Sequence, residues 1–106
     1  MESRDFIDLT RKILDSEPGV RERAADEVTD LVNAYSPVQA TTLAVLLSAA
    51  AACEEMNSVL EAELHAILEL TSTGYVNAGH VAQLREIRLD EVPVELREYV
   101  IDLLEG

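Results

Sequence analysis

The sequence predicts an all-α protein, a single helical domain over residues 1–106 with about six helices arranged as three stacked helical hairpins. Three observations predict it. Apolar residues recur with the helical period almost throughout, and no stretch alternates as a half-buried strand would. Proline, glycine and Ser or Asn capping signals punctuate the chain at short intervals. The apolar material is Leu, Ala, Val and Ile with one Phe, three Tyr and no Trp, which suits helix packing. A chain of 106 residues is too short for two independent cores.

The first helix runs from about Ser3 to Asp15, with Phe6, Leu9, Ile13 and Leu14 inward, and stops at Ser16-Glu17-Pro18-Gly19. Pro18 fits the first turn of the second helix, where its missing N–H costs nothing. That helix carries Val20, Ala24, Val28, Leu31, Val32 and Tyr35 on one stripe. Ser36, Pro37 and Gln39 open the third helix with a capping box, and this helix is apolar nearly all round, so neighbours are expected on several sides. Ser58 and Glu61 repeat the capping-box spacing, which places a break near Met56-Asn57. The fourth helix buries Leu60, Leu64, Ile67 and Leu68 and ends at Gly74. Asn77 caps a short fifth helix between the staple residues Val76 and Val81, with Leu84 and Ile87 inward. Pro93 starts the sixth, whose stripe is Leu96, Tyr99, Val100, Leu103 and Leu104.

The segment Ile13-Leu14-Asp15-Ser16-Glu17-Pro18-Gly19-Val20-Arg21-Glu22-Arg23-Ala24-Ala25 resembles the junction of a HEAT-type repeat. An apolar helix end, Asp, a Pro-containing turn and then Val-Arg-x-x-Ala-Ala are typical of that family. Cys53-Glu54-Glu55 before Val59-Leu60-Glu61-Ala62 keeps only the skeleton, and the third hairpin lacks a Val-Arg pair. The resemblance implies stacked hairpins, an architecture used mainly for binding.

Charge narrows the function. With 21 acidic against 8 basic residues the net charge is −13, which disfavours direct nucleic-acid binding and anionic membrane surfaces. The uncharged stretch from Val38 to Cys53 is too short and small-sided for a bilayer and reads as a buried core helix. The first residues lack the apolar run of a signal peptide, so a cytoplasmic protein is expected. Cys53 is the only cysteine, which excludes an intrachain disulfide, and its apolar helix suggests a buried thiol.

Catalytic equipment is not found. No glycine-rich phosphate loop and no Gly-x-Ser-x-Gly elbow occurs. Glu61, His65 and Glu69 share a helix face but lack the paired histidines of a helical metal site, and His80 reads as a capping residue. The pairs Glu54-Glu55 and Asp90-Glu91 read as solvated helix-end charges. No enzyme, cofactor or metal is expected.

What remains is where the acid lies. Between Ala24 and Leu84 there are eight acids (Asp26, Glu27, Asp30, Glu54, Glu55, Glu61, Glu63 and Glu69) and no Lys or Arg. Glu22, Asp26 and Asp30 form a row on the second helix, and Glu61, His65 and Glu69 one on the fourth. Glu95, Glu98, Asp102 and Glu105 form a third row on the sixth helix. In stacked hairpins these rows become neighbours. Glu22, Asp26, Asp30, Glu61, His65, Glu69, Glu98 and Asp102 are therefore the candidate partner-binding residues. Small size, acidity and a helical fold are similar to those of small acidic immunity proteins of bacterial toxin systems. That resemblance implies an inhibitor, monomeric or homodimeric, that neutralises a basic, nuclease-type toxin. The alternative is a helical adaptor or oligomerising subunit that makes contact through an apolar patch.

Overall fold

A computed structural model describes the whole chain, Met1 to Gly106. Five α-helices are present: α1 (Ser3–Ile13), α2 (Pro18–Asp30), α3 (Pro37–Cys53), α4 (Asn57–Thr71) and α5 (Val94–Glu105). A 3-10 segment, Ala78–Glu86, stands where a fifth of six helices was expected, and short 3-10 turns cover Val32–Ala34 and Leu89–Glu91. There is no strand, and no helix is long and apolar enough to cross a membrane.

The helices form two layers. In one, α3 lies between α1 and the Ala78–Glu86 segment; in the other, α4 lies between α2 and α5; α3 packs on α4 across the middle. The chain therefore alternates between layers, one hairpin after another. The N-terminus ties the first hairpin to the second. The Met1 amine donates to the Ala34 carbonyl (2.8 Å), and the Gln39 side-chain amide donates to the Met1 carbonyl (2.8 Å). Between the layers lies one continuous core, including Leu9 and Ile13, Ala24 and Val28, Leu43 and Leu47, Leu64 and Ile67, and Val100 and Leu103.

Local chemistry accounts for most boundaries. Ser36 Oγ accepts from the Gln39 N–H (3.2 Å) while Gln39 Oε1 accepts from the Ser36 N–H (3.0 Å), the reciprocal box expected at the start of α3. Asn77 Oδ1 accepts from Gly79 (2.9 Å) and His80 Nδ1 accepts from the Asn77 N–H (3.0 Å), so His80 is a capping residue as its position suggests. Gly74 takes φ of +84° beyond α4, a conformation in which any Cβ would be strained.

Several expectations are corrected. The second helix stops at Asp30, and the chain tightens into a 3-10 turn that swings Leu31 outward while Tyr35 stays buried. The Tyr35 hydroxyl donates to the Val28 carbonyl at 3.4 Å, and burial, with the nearby Glu27 charge, pushes its pKa up to about 12. Leu14 and Leu68 are exposed, because each falls just beyond the edge of its helix's buried stripe. The α4 N-cap is Met56, not Ser58, and its N–H is met by Glu54 Oε2 at 3.3 Å. Cys53 is exposed, since it ends α3 at the open, loop-bearing end of the bundle. Nor is α3 covered all round: Val38 and Val45 look outward on an uncharged stripe.

Two measurements check this arrangement. Cys53 in the native protein should react with a thiol reagent at a rate near that of the urea-unfolded chain; strong protection would contradict the placement of the α3 terminus. Ser36→Ala should lower unfolding stability by about 1 kcal/mol in urea titration, from loss of the cap.

Candidate functional site

The three helices that carry the acidic rows share one layer, with α4 packed against both α2 and α5. Asp26, Asp30, Glu61, His65, Glu98 and Asp102 are exposed, while Glu22 and Glu69 are half-buried. Helices α2 and α5 flank α4, so the three helices that carry the rows are neighbours.

The α4–α5 seam is closed by a polar contact. His65 Nδ1 and the Tyr99 hydroxyl lie 3.0 Å apart, and His65 Nε2 is 3.6 Å from Glu69 Oε1. Burial raises the Tyr99 pKa, with Glu69 and Glu61 adding to the rise. The tyrosine therefore stays a neutral hydroxyl beside His65, with Glu61 and Glu69 nearby. No three His, Cys, Asp or Glu side chains converge as a metal-binding group.

Two of the eight acids between Ala24 and Leu84 do not belong to any solvated surface. The Glu54 side chain is almost fully buried and forms a two-pronged pair with Arg21: Nε donates to Oε1 (2.8 Å) and Nη2 to Oε2 (2.9 Å). Arg21 Nη1 donates to the carbonyls of Asp15 (2.8 Å) and Ser16 (3.0 Å). One guanidinium thus joins the α1–α2 loop to the α3–α4 loop. The hydrogen bond that Arg21 donates to Glu54, with the Glu54 charge, outweighs desolvation and raises the Arg21 pKa. For Glu54, burial alone would push the pKa up. The bonds from Arg21 and the Met56 N–H, with the Arg21 charge, reverse that and hold it below the usual value.

Glu63 lies behind this pair. It is 1% exposed, and neither carboxyl oxygen meets a hydrogen-bond donor. Burial first, then repulsion from Glu54, pushes its pKa up to about 8. Near neutral pH it is a neutral acid, able to donate its own proton toward Glu54. The reading of Glu54 as a solvated helix-end charge is therefore corrected, and so is the inclusion of Glu63 among surface acids. Of the eight, Asp26, Asp30, Glu61 and Glu69 lie in the acidic rows. A signal for Glu63 exists in the sequence: it stands three residues after Leu60 and four before Ile67, on the buried stripe. No such pattern marks Glu54, whose burial comes from a loop packing against another loop.

The third hairpin repeats part of the device. Arg97 Nε donates to the Leu89 carbonyl (2.9 Å) and Nη2 to the Val92 carbonyl (3.3 Å), so an arginine in the first turns of α5 also reaches back to the preceding loop. Comparison with family models, curated proteins and solved structures returns no match.

Stability should carry the mark of Glu63. Its folded pKa of about 8 lies above its ordinary 4.5, so the folded state keeps a proton that the unfolded chain releases. The stabilisation from this group is complete below its ordinary value and is lost as pH rises through about 8. Glu63→Gln should remove that slope. It should match the parent near about pH 5 and exceed it by a few kcal/mol near about pH 9 in urea titrations. Parallel pH profiles for the two proteins would refute a buried neutral acid. Arg21→Ala should cost about 3 kcal/mol, because it strands a buried Glu54 carboxylate; adding Glu54→Gln should recover a substantial part in a double-mutant cycle.

Proposed function

We propose that this chain is a cytoplasmic binding protein that captures and neutralises a basic protein of the nuclease-toxin kind through the acidic strip of α2, α4 and α5. One observation carries the reading: three adjacent helices carry rows of carboxylates, with no Lys or Arg between Ala24 and Leu84, and the one arginine of α5, Arg97, is turned back onto the Leu89 and Val92 carbonyls. Adjacent like charges are mildly unfavourable to the fold, by a few tenths of a kcal/mol per pair. The same charges raise encounter rates with a cationic partner. The alternation of hairpins between two layers, with the Ile13–Ala25 junction, supports a place among HEAT-like binding scaffolds.

A helical adaptor or self-assembling subunit is the second reading, and it has its own support. The opposite layer exposes Ile7 on α1, Leu14 just beyond its end, and Val38 and Val45 on α3, with Val38 at 73%. That face would make contact through apolar area while the acid serves solubility. Sedimentation over a wide concentration range distinguishes the two: this second reading expects assembly that Val45→Asp abolishes.

The test of the first reading starts with affinity capture of a basic partner from the source organism, identified by mass spectrometry. Association rates across ionic strength follow. Reversing Asp26 and Asp30 to Lys, or Glu61 and Glu69 to Lys, should slow association and flatten its salt dependence. Folding stability should move by no more than roughly 0.5 kcal/mol per exposed substitution. Reversing Asp5 and Asp8, on α1 in the other layer, is the matched control. Equal effects from strip and control would leave net charge as the only determinant and overturn the reading.

A further inference from the structure

A cleft of about 700 Å³ opens where the C-terminal halves of α4 and α5 meet the chain leading into the Ala78–Glu86 segment. Its floor is apolar: Val76 and Leu103 are buried, and Leu68 is 43% exposed at the edge. Its α5 side carries Glu95, Glu98 and Asp102, all exposed, and no Lys or Arg lines it anywhere. The backbone adds to the charge. His65 sits beside Tyr99, and Leu68 and Thr71 share the cleft with Asp102, Leu103 and Gly106, so α4 and α5 run the same way and end there together. Neither helix has a basic residue in its last turn, so no cationic side chain offsets either negative helix end, although hydroxyls of Thr71, Ser72 and Thr73 donate to the last carbonyls of α4.

An apolar floor under a doubly negative rim suits one kind of occupant. A neutral apolar segment would strip water from the carboxylates without replacing it, and a purely cationic one would leave Leu68 and its neighbours without partners. We infer that this cleft is the anchor point of the acidic strip, and that it takes a cationic amphipathic helix of the partner protein, one apolar side chain on the floor and flanking Arg or Lys on Glu98 and Asp102. The inference rests on the acidic-strip reading and locates its centre. A space of this volume accepts a few side chains, which matches the concentrated anchors found in protein interfaces.

The probe is a synthetic amphipathic helix of Leu and Arg about five turns long, titrated by fluorescence anisotropy at near-physiological salt. A peptide of the same composition, reordered to have no apolar face, serves as reference. Leu68→Glu is the deciding variant, because it adds a negative charge while removing the apolar edge of the cleft at a site that tolerates polarity. If charge alone matters, it strengthens binding; if the cleft anchors the helix, it weakens binding by roughly tenfold or more. Leu68→Gln should weaken it similarly, and Glu98→Lys with Asp102→Lys by a comparable factor. Asp5→Lys with Asp8→Lys, exposed on α1 in the other layer, should change affinity by less than about threefold, and melting curves confirm that each variant folds. Unchanged or tighter binding to Leu68→Glu, or equal binding of the reordered peptide, overturns the cleft. A natural basic partner that binds the strip while ignoring Leu68→Glu overturns the cleft alone and leaves the acidic-strip reading standing. Absence of any binding to basic proteins removes both.

Discussion

Arg21 is the constraint on which the loop-bearing end of the molecule depends. Its guanidinium satisfies both oxygens of Glu54 and two carbonyls of the α1–α2 loop, which fixes where α2 begins relative to α4. A planar five-donor group suits that task, because one side chain spans two loops without a mobile ammonium's loss of geometry. The Glu54 charge is buried and would be costly alone, so the pair is held together by the absence of alternatives. Its second oxygen also receives the N–H of Met56, the first residue of the α4 cap. The break between α3 and α4 is thus made by a tertiary ion pair, in a place where neither Gly nor Pro would force it.

Glu63 gives that cluster a second property. Two carboxyls face one guanidinium, and the low-dielectric setting cannot hold both as anions; burial and Glu54 keep Glu63 protonated. The same helix therefore carries two populations of acid. On its buried stripe Glu63 is a neutral group among Leu60, Leu64 and Ile67; on its outer face Glu61 and Glu69 border the seam with α5. A count of acidic residues overstates the charge that a partner meets, and the excess lies at the end of the bundle where Arg21 sits.

The separation of surfaces follows from the two-layer arrangement. Alternating hairpins put α1, α3 and the Ala78–Glu86 segment on one side and α2, α4 and α5 on the other. The first side contains the uncharged α3; the second contains the carboxylate rows. Within the acidic side, Leu68 is an exposed apolar position at the edge of a cleft that Glu95, Glu98 and Asp102 also line. Electrostatic attraction is long-range and only weakly directional, whereas an apolar contact is short-range and specific; the fold sets both on the same seam.

Helical period, caps and turns are local properties, and so the all-α class, the capping box at Ser36, the cap at Asn77 and the inward face of α5 follow from the sequence by itself. The acidic rows follow too, since spacing along a helix determines which residues share a face. Whether a side chain at the margin of a face is covered depends on where the neighbouring helix ends, which no local pattern contains. Leu14, Leu68 and Cys53 became exposed for that reason, and the Ala78–Glu86 segment tightened to a 3-10 form. Only tertiary structure decided that Glu54 and Arg21, distant in the chain, would share a buried contact. The energy of that pairing exists once two loops have excluded water from the space between them.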